Sequence, residues 1–238
     1  MPTDCLFRED SYLKECSATV VGITDQGGIV LDRTVFYAVS GGQPADRGAL
    51  TLPSGGAVIV ENTVFTDPGK TEIAHMPAGG STPVKVGDPV HAVIDWEQRF
   101  GRMRVHTALH LLSAALPYPV TGGSIGETEG RLDFDIPEAG LDKDEIDTKL
   151  AKMIAADAAV ATRWITDEEL EANPKLVKTM SVKPPMGTGR VRLVEIKGLD
   201  LQPCGGTHVR STGEIGGVRV TQIEKKGKLN RRVRIALV

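Results

Sequence analysis

At Asp95 the sequence changes period, and with no internal repeat or low-complexity linker in the chain that change alone marks a soft boundary near residues 90–95. Upstream, short stretches rich in β-branched residues at 17–23, 28–37, 57–65 and 84–94 are punctuated by DQGG, PSGG, DPGK and PAGG. Alternating runs between such turn signals predict strands, and several strands with no helix among them predict a small barrel or sandwich. From Asp95 onward the apolar residues recur at helical spacing. Asp95 is placed to cap a helix with Gln98 at its third position, and DWEQRFGRMRVHTALHLLSAALP then runs to a stop at Pro117. After it comes VTGGSIGETEGRLDFDIP, glycine-rich and then β-like. A second amphipathic helix is expected over 142–157, through Ile146, Leu150, Met153 and Ile154, with a strand at 160–165 and a brief helix in DEELEAN. Further strands are expected at 190–196, 216–224 and 231–237. The fold class that follows is α+β: a small β-barrel-like domain over 1–94, then an α+β domain with an antiparallel sheet over 95–238.

The helix after Asp95 carries two faces. A turn of about 100° per residue aligns Val105, Leu109, Leu112 and Leu116 as a core stripe. His106 and His110 fall on an adjacent face, with Arg99 two turns earlier on nearly the same line. About a hundred residues later the chain reads PCGGTH, so three of its five histidines lie in two short stretches. Imidazoles at i and i+4 can reach one ion, and Cys204 and His208, joined through Gly205 and Gly206, can complete a tetrahedral shell. Neutral imidazole and thiolate suit Zn²⁺ better than Mg²⁺ or Ca²⁺. One zinc per chain is therefore expected on His106, His110, Cys204 and His208. HTALH lacks the glutamate that follows the first histidine in HExxH proteases, which disfavours proteolysis. His75, His91, Cys5 and Cys16 have no second ligand nearby in sequence and are read as structural.

Composition limits the remaining classes. The chain has 238 residues and 40% apolar content, with no apolar run near the roughly 18 to 20 residues that a membrane span needs. MPTDCLFRED lacks the basic start and apolar stretch of a secretory signal, and three sparse cysteines fit a reducing compartment, so the cytoplasm is expected. Formal net charge is −3, so any affinity for nucleic acid must come from local patches. KKGKLNRRVR at 225–234 holds six basic residues in ten, and RFGRMR at 99–104 adds three more. A solvated face is the alternative reading of either run.

Five motifs in one order carry a family resemblance. HTALHLL, RLDF at 131–134, LQPCGGTHV at 201–209, TGEIGGVRV at 212–220 and the closing IEKKGKLNRRVRIAL resemble the editing domain of alanyl-tRNA synthetases. FYAVSGGQPADRG at 36–48 is similar to the glycine-rich element preceding that domain. The chain is too short for an activation domain and has no GxxxxGK[ST] loop, so it resembles the freestanding AlaX editing proteins that carry the N-terminal β domain and GGQ motif. The resemblance implies ATP-independent trans-editing: hydrolysis of the ester joining serine chiefly, or glycine, to alanine tRNA. It also implies zinc on the four residues named above. Gly41, Gly42, Gln43, Thr121, Gly122, Gly123, Arg131 and Asp133 are then expected to line the substrate, with the Thr121 hydroxyl assisting. Arg99, Arg102, Lys225, Lys226, Lys228, Arg231 and Arg232 are expected on tRNA phosphates. Structural alternatives stand beside these roles: a hairpin turn for SGGQ, an exposed salt bridge for Arg131 and Asp133, and a hydroxyl-stabilised turn for Thr121. Two other functions remain open, a zinc-stabilised RNA-binding module without catalysis and an editor of seryl-tRNA for threonine.

Overall fold

The computed structural model describes residues 2–136, 140–178, 189–227 and 229–238. It divides into two compact units, one of Met1–Ser40 with Pro44–Arg99 and one of Gly41–Gln43 with Phe100–Val238. The first unit holds β1 (Asp4–Cys5), β2 (Glu15–Ile23), β3 (Ile29–Leu31), β4 (Arg33–Thr34), β5 (Gly48–Thr51), β6 (Ala57–Phe65), β7 (Ile73–Pro77) and β8 (Pro89–Ile94). Six of them close a barrel in the order β2-β3-β7-β6-β5-β8, and β1 pairs with β4 in parallel. The barrel-like expectation holds. The interior is apolar because every second residue points inward: Val90, Ala92 and Ile94 on β8, and Val58 and Val60 on β6, all belong to one buried cluster. A bulge between Val60 and Asn62 then shifts the phase, so that Thr63 rather than Asn62 is fully buried. The run at 28–37 is broken into two short strands, β3 and β4, instead of one.

Among the polar side chains enclosed in this unit are His75 and Arg99. His75 on β7 has no exposed surface and bonds Thr34 Oγ1 at 2.8 Å and the Ile29 carbonyl at 2.9 Å. Arg99 is likewise fully buried, with its guanidinium on the Asp46 carboxylate and on the carbonyls of Ser11 and Val35.

Helix α1 (Trp96–Ala115) begins within the first unit and continues into the second. Asp95 Oδ1 accepts from Gln98 N at 3.2 Å, as the cap predicts. The second unit continues through β9 (Val120–Ile125), β10 (Glu129–Asp135), α2 (Lys143–Ala155), β11 (Val160–Ile165), α3 (Asp167–Glu171), β12 (Val191–Ile196), β13 (Asp200–Pro203), β14 (Val218–Lys226) and β15 (Asn230–Leu237). They form a four-stranded antiparallel sheet, β14-β15-β10-β9, and a three-stranded one, β11-β12-β13. Phe134, Val220, Val233 and Ile235 are buried on one face of the larger sheet, while its other face carries Asp133, Arg232 and Glu224 in one row. The stripe of Val105, Leu109, Leu112 and Leu116 is buried as expected, but Met103, Thr107 and Leu111 are buried as well, so α1 is enclosed on more than one side. Among the described residues no helix is long and apolar enough to cross a membrane.

Candidate metal centre and its surroundings

All four residues of the centre lie in the second unit. Helix α1 supplies His106 and His110 one turn apart, and the turn after β13 supplies Cys204 and His208. The four donor atoms lie within 4.8 Å of one another. Cys204 Sγ stands 3.5 Å from His106 Nε2 and 3.3 Å from His208 Nε2. Tetrahedral zinc, with nitrogen at about 2.0–2.1 Å and sulfur at about 2.3 Å, would set nitrogen and sulfur about 3.5 Å apart. The donor set and these separations fit such an ion.

Each imidazole is fixed from behind. His106 Nδ1 donates to Gln43 Oε1 at 2.9 Å, His208 Nδ1 to Thr107 Oγ1 at 3.1 Å, and His110 Nδ1 to Asp200 Oδ2 at 2.9 Å. With Nδ1 protonated and engaged, each Nε2 keeps its lone pair for the centre. The Thr107 hydroxyl passes its own proton to the Met103 carbonyl at 2.9 Å, and Gln43 Nε2 donates to Thr207 Oγ1 at 2.9 Å. Arg192 Nη1 donates to the carbonyls of Cys204 and Gly206, both at 2.9 Å, and so staples the turn that bears the thiol.

Two glycines are required by close approach. A β-carbon on Gly206 would fall 2.2 Å from His106 Cε1, so the imidazole packs directly on the backbone of the Cys204 turn. Gly42 adopts φ +85°, and a β-carbon there would lie 3.0 Å from the Gly123 carbonyl. The Gly42 carbonyl accepts from Ile125 N at 3.0 Å, which docks the GGQ segment on β9 and delivers Gln43 to His106.

The charges at the centre are coupled. Burial works against the Cys204 thiolate, but His106 and His208 outweigh it and hold the pKa well below the usual thiol value. Burial also disfavours the His110 cation, yet Asp200 and Cys204 raise its pKa to about 9. Asp200 is itself drawn down to about 2, because His110 and Lys178 overcome the cost of burying it.

The other expected site residues are distributed differently. Gln43 has no exposed surface and holds His106, which is a structural duty that the hairpin-turn alternative did not include. Arg131 and Asp133 form a salt bridge at 2.7 Å, and Arg232 grips the same carboxylate with two bonds of 2.7 and 2.8 Å. The expectation of Arg232 as a phosphate contact is corrected to that extent: its guanidinium is committed to Asp133, directly opposite it across β10 and β15. Arg99 and Arg102 also need correction. Arg99 is sealed inside the first unit, and Arg102 is 5% exposed with Nη2 on Glu127 at 3.1 Å, so neither presents a free cation to RNA. Lys225 and Lys226 are exposed and Arg231 is half-buried, whereas Lys228 lies outside the described residues. Thr121 sits in β9 and not in a turn; its hydroxyl reaches the Asp133 carbonyl at 3.2 Å and Asn230 Oδ1 at 3.0 Å. Asp200, Gln202, Thr107 and Arg192 were not anticipated. The alternation of Asp200, Gln202 and Cys204 carried a usable signal, since period two puts the first two on one side of β13 and Cys204 next in phase just beyond its end.

Comparison with known proteins bears on the whole chain. Residues 191–234 match the family described as Threonyl and Alanyl tRNA synthetase second additional domain, and residues 10–98 match tRNA synthetases class II (A). The chain is 37% identical to alanyl-tRNA editing protein AlaX-M of Methanosarcina barkeri over 243 residues, covering 99% of both. It is 36% identical to the AlaX-M of Methanosarcina mazei, over 99% of this chain and 97% of that one. To the alanine–tRNA ligase of Pyrobaculum neutrophilum it is 32% identical over 92% of its length, but this spans only 25% of the ligase.

Proposed function

The chain belongs to the AlaX family of alanyl-tRNA editing proteins, and from that premise we propose that it deacylates mischarged alanine tRNA in trans. The reaction is hydrolysis: water attacks the aminoacyl ester, the amino acid leaves as its carboxylic acid, and the ribose hydroxyl of the tRNA end is freed. Serine is the principal target, with glycine beside it. A pocket shaped for alanine rejects an analogue bearing one extra hydroxyl poorly, so the error needs a second site that reads the hydroxyl. No ATP is consumed, and the cytoplasm is where such a substrate is met.

The observation that carries this reading is the convergence of His106, His110, Cys204 and His208, each imidazole backed by its own acceptor. We assign one Zn²⁺ per chain to these four. Bound there, it would supply Lewis acidity and an anchor for the aminoacyl group. Gly41 and Gly42, with residues Thr121, Gly122 and Gly123 of β9, line the substrate while Gln43 stands behind His106, and the four glycines leave room for a small amino acid. Arg131 and Asp133 border that strand, the Asp133 carboxylate standing 3.5 Å from where a Gly122 β-carbon would be. Lys225, Lys226, Lys228 and Arg231 meet tRNA phosphates. Residues 1–94 act as an accessory β domain and 95–238 as the editing domain.

The test is ester loss from seryl-, glycyl- and alanyl-tRNA for alanine and from seryl-tRNA for threonine, with zinc content measured on the same preparation. Fast loss of serine from alanine tRNA, with alanine spared, is expected. Binding without hydrolysis would make the chain a tRNA-binding module, and a preference for the threonine tRNA would make it an editor of that species.

A further inference from the structure

Asp200 is a buried carboxylate with both oxygens engaged. Oδ2 accepts from His110 Nδ1 at 2.9 Å and from Gln202 Nε2 at 2.7 Å, while Oδ1 receives the ammonium of Lys178. The Asp200 side chain has no exposed surface, and that of Lys178 is 31% exposed, so the lysine reaches in from the solvent boundary. Its main chain is anchored separately, since the Lys178 carbonyl accepts from Val120 N at 3.0 Å.

The three imidazoles are not backed alike. His106 has a neutral amide behind it and His208 a neutral hydroxyl; only His110 has a carboxylate. A carboxylate held at one oxygen can rotate about its Cβ–Cγ bond, and in an enclosed site an unpaired oxygen is costly. Gln202 does not prevent that rotation, because its Nε2 is spent on Oδ2 and on Ser113 Oγ at 3.2 Å. The ammonium at Oδ1 does.

We propose that Lys178 and Asp200 are positioning residues of the metal centre: Lys178 pins Asp200, and Asp200 in turn holds the His110 ring with Nε2 aimed at the other three donors. Neither touches the substrate. Lys178 lies on the Nδ1 side of His110, beyond Asp200, and acts only through that carboxylate. Removing the ammonium adds net negative charge, which alone would favour a cation. At a partly exposed position that gain is screened, whereas the buried oxygen left without a partner turns toward water and releases His110. This inference rests on the metal reading given above.

The test is zinc affinity, measured by competition with a chromophoric chelator on the full chain, together with the visible spectrum of the Co²⁺ form as a report on donor geometry. Asp200→Asn should bind zinc about 10- to 100-fold more weakly, and Lys178→Met about tenfold more weakly, the range found when the partners of metal-bound histidines are removed. Lys178→Arg should stay within about threefold of the native chain, because a guanidinium brings the same charge to Oδ1. In the Asp200→Asn background, Lys178→Met should change the affinity by less than about twofold, as expected of a residue acting through its neighbour. Should the methionine variant fail to fold, Lys178→Gln removes the charge and keeps a donor. Unchanged zinc affinity and cobalt spectrum in Lys178→Met overturn the proposal, as does an equal loss in both backgrounds. A raised KM for seryl-tRNA at native zinc affinity also overturns it, by making Lys178 a substrate contact. If the native chain binds no zinc, the metal reading itself is wrong and this inference falls with it.

Discussion

Acid should destabilise the barrel through a single residue, His75. Its Nδ1 and Nε2 are both used by a neutral ring, one on the Ile29 carbonyl and the other on the Thr34 hydroxyl, and Phe36 stands edge-on 5.1 Å away. Burial lowers the pKa from 6.5 to about 4, with the bond to Ile29 opposing it in part. Above pH 6.5 neither the folded nor the unfolded chain protonates this ring, and pH has no effect through it. Between 6.5 and 4 the unfolded chain takes up the proton and the native chain does not, so stability falls as the solution is acidified. The slope is about 1.4 kcal/mol per pH unit, which accumulates to about 3 kcal/mol by pH 4. For a domain whose total stability is of order 5–15 kcal/mol, that is a large share. Carboxylates contribute their own pH dependence, so the measurement needs a reference. Urea unfolding of the native chain and of His75→Gln, at half-unit steps from pH 7.5 to 4.5, isolates the histidine as the difference between two curves. The difference should be flat above pH 6.5 and grow to about 2–3 kcal/mol at pH 4.5. A difference that stays flat throughout would refute the assignment of a neutral, proton-refusing ring.

Other outcomes follow from the second unit. Gln43→Leu removes the acceptor for His106 Nδ1 and for Thr207 N, and should weaken zinc binding about 10- to 100-fold in a chelator competition; native zinc affinity with a raised KM would return Gln43 to the substrate. Gly206→Ala drives a methyl into His106 and should abolish zinc loading while lowering stability by about 1–3 kcal/mol in thermal unfolding. Thr121→Val should lower the melting temperature by a few degrees, an effect of about 1 kcal/mol, and leave seryl-tRNA hydrolysis near native, because its hydroxyl is bonded within the sheet. A tenfold or greater fall in hydrolysis at native zinc content would instead show that the hydroxyl reads serine. Replacing Lys225, Lys226 and Arg231 by glutamine should reduce the slope of log affinity for tRNA against log salt by about 2–3, whereas Arg102→Gln should leave that slope unchanged.

How far the sequence could be read depended on whether a feature is local. Helix α1, its cap and the stacking of His106 under His110 are consequences of residues within one turn of each other, and they were visible in the string. The strands with an unbroken phase were visible too. β5 has only four residues and β7 carries a histidine in place of an aliphatic, so each hides its period, whereas β6 was legible at 57–65 despite the bulge at Val60/Asn62. Charge was the least legible property. A cluster of arginines and lysines looks uniform in sequence, yet Arg232 is claimed by Asp133, 99 positions away, and Arg99 by Asp46, 53 positions away, while Lys225 stays in water. No pattern within ten residues can distinguish a cation already matched in the fold from one left to meet an anionic partner. The same distance hid Asp200 behind His110, although its alternation with Cys204 was on view.

The centre is assembled from segments that leave the ribosome at different times. Gln43, His106 and His110 emerge first, but Cys204 lies 98 residues beyond His106. At about 5–20 residues per second, the imidazole pair waits roughly 5 to 20 seconds for its thiolate. During that interval α1 offers two histidines and a hydrophobic stripe with no second sheet or Cys204 turn to cover them. A nascent chain of this kind is exposed to aggregation and to capture of copper or nickel, which bind imidazole more tightly than zinc does. On the zinc reading proposed above, loading has to wait until His208 has been made, and the yield of zinc-loaded protein should depend on how quickly residues 106 to 208 are made.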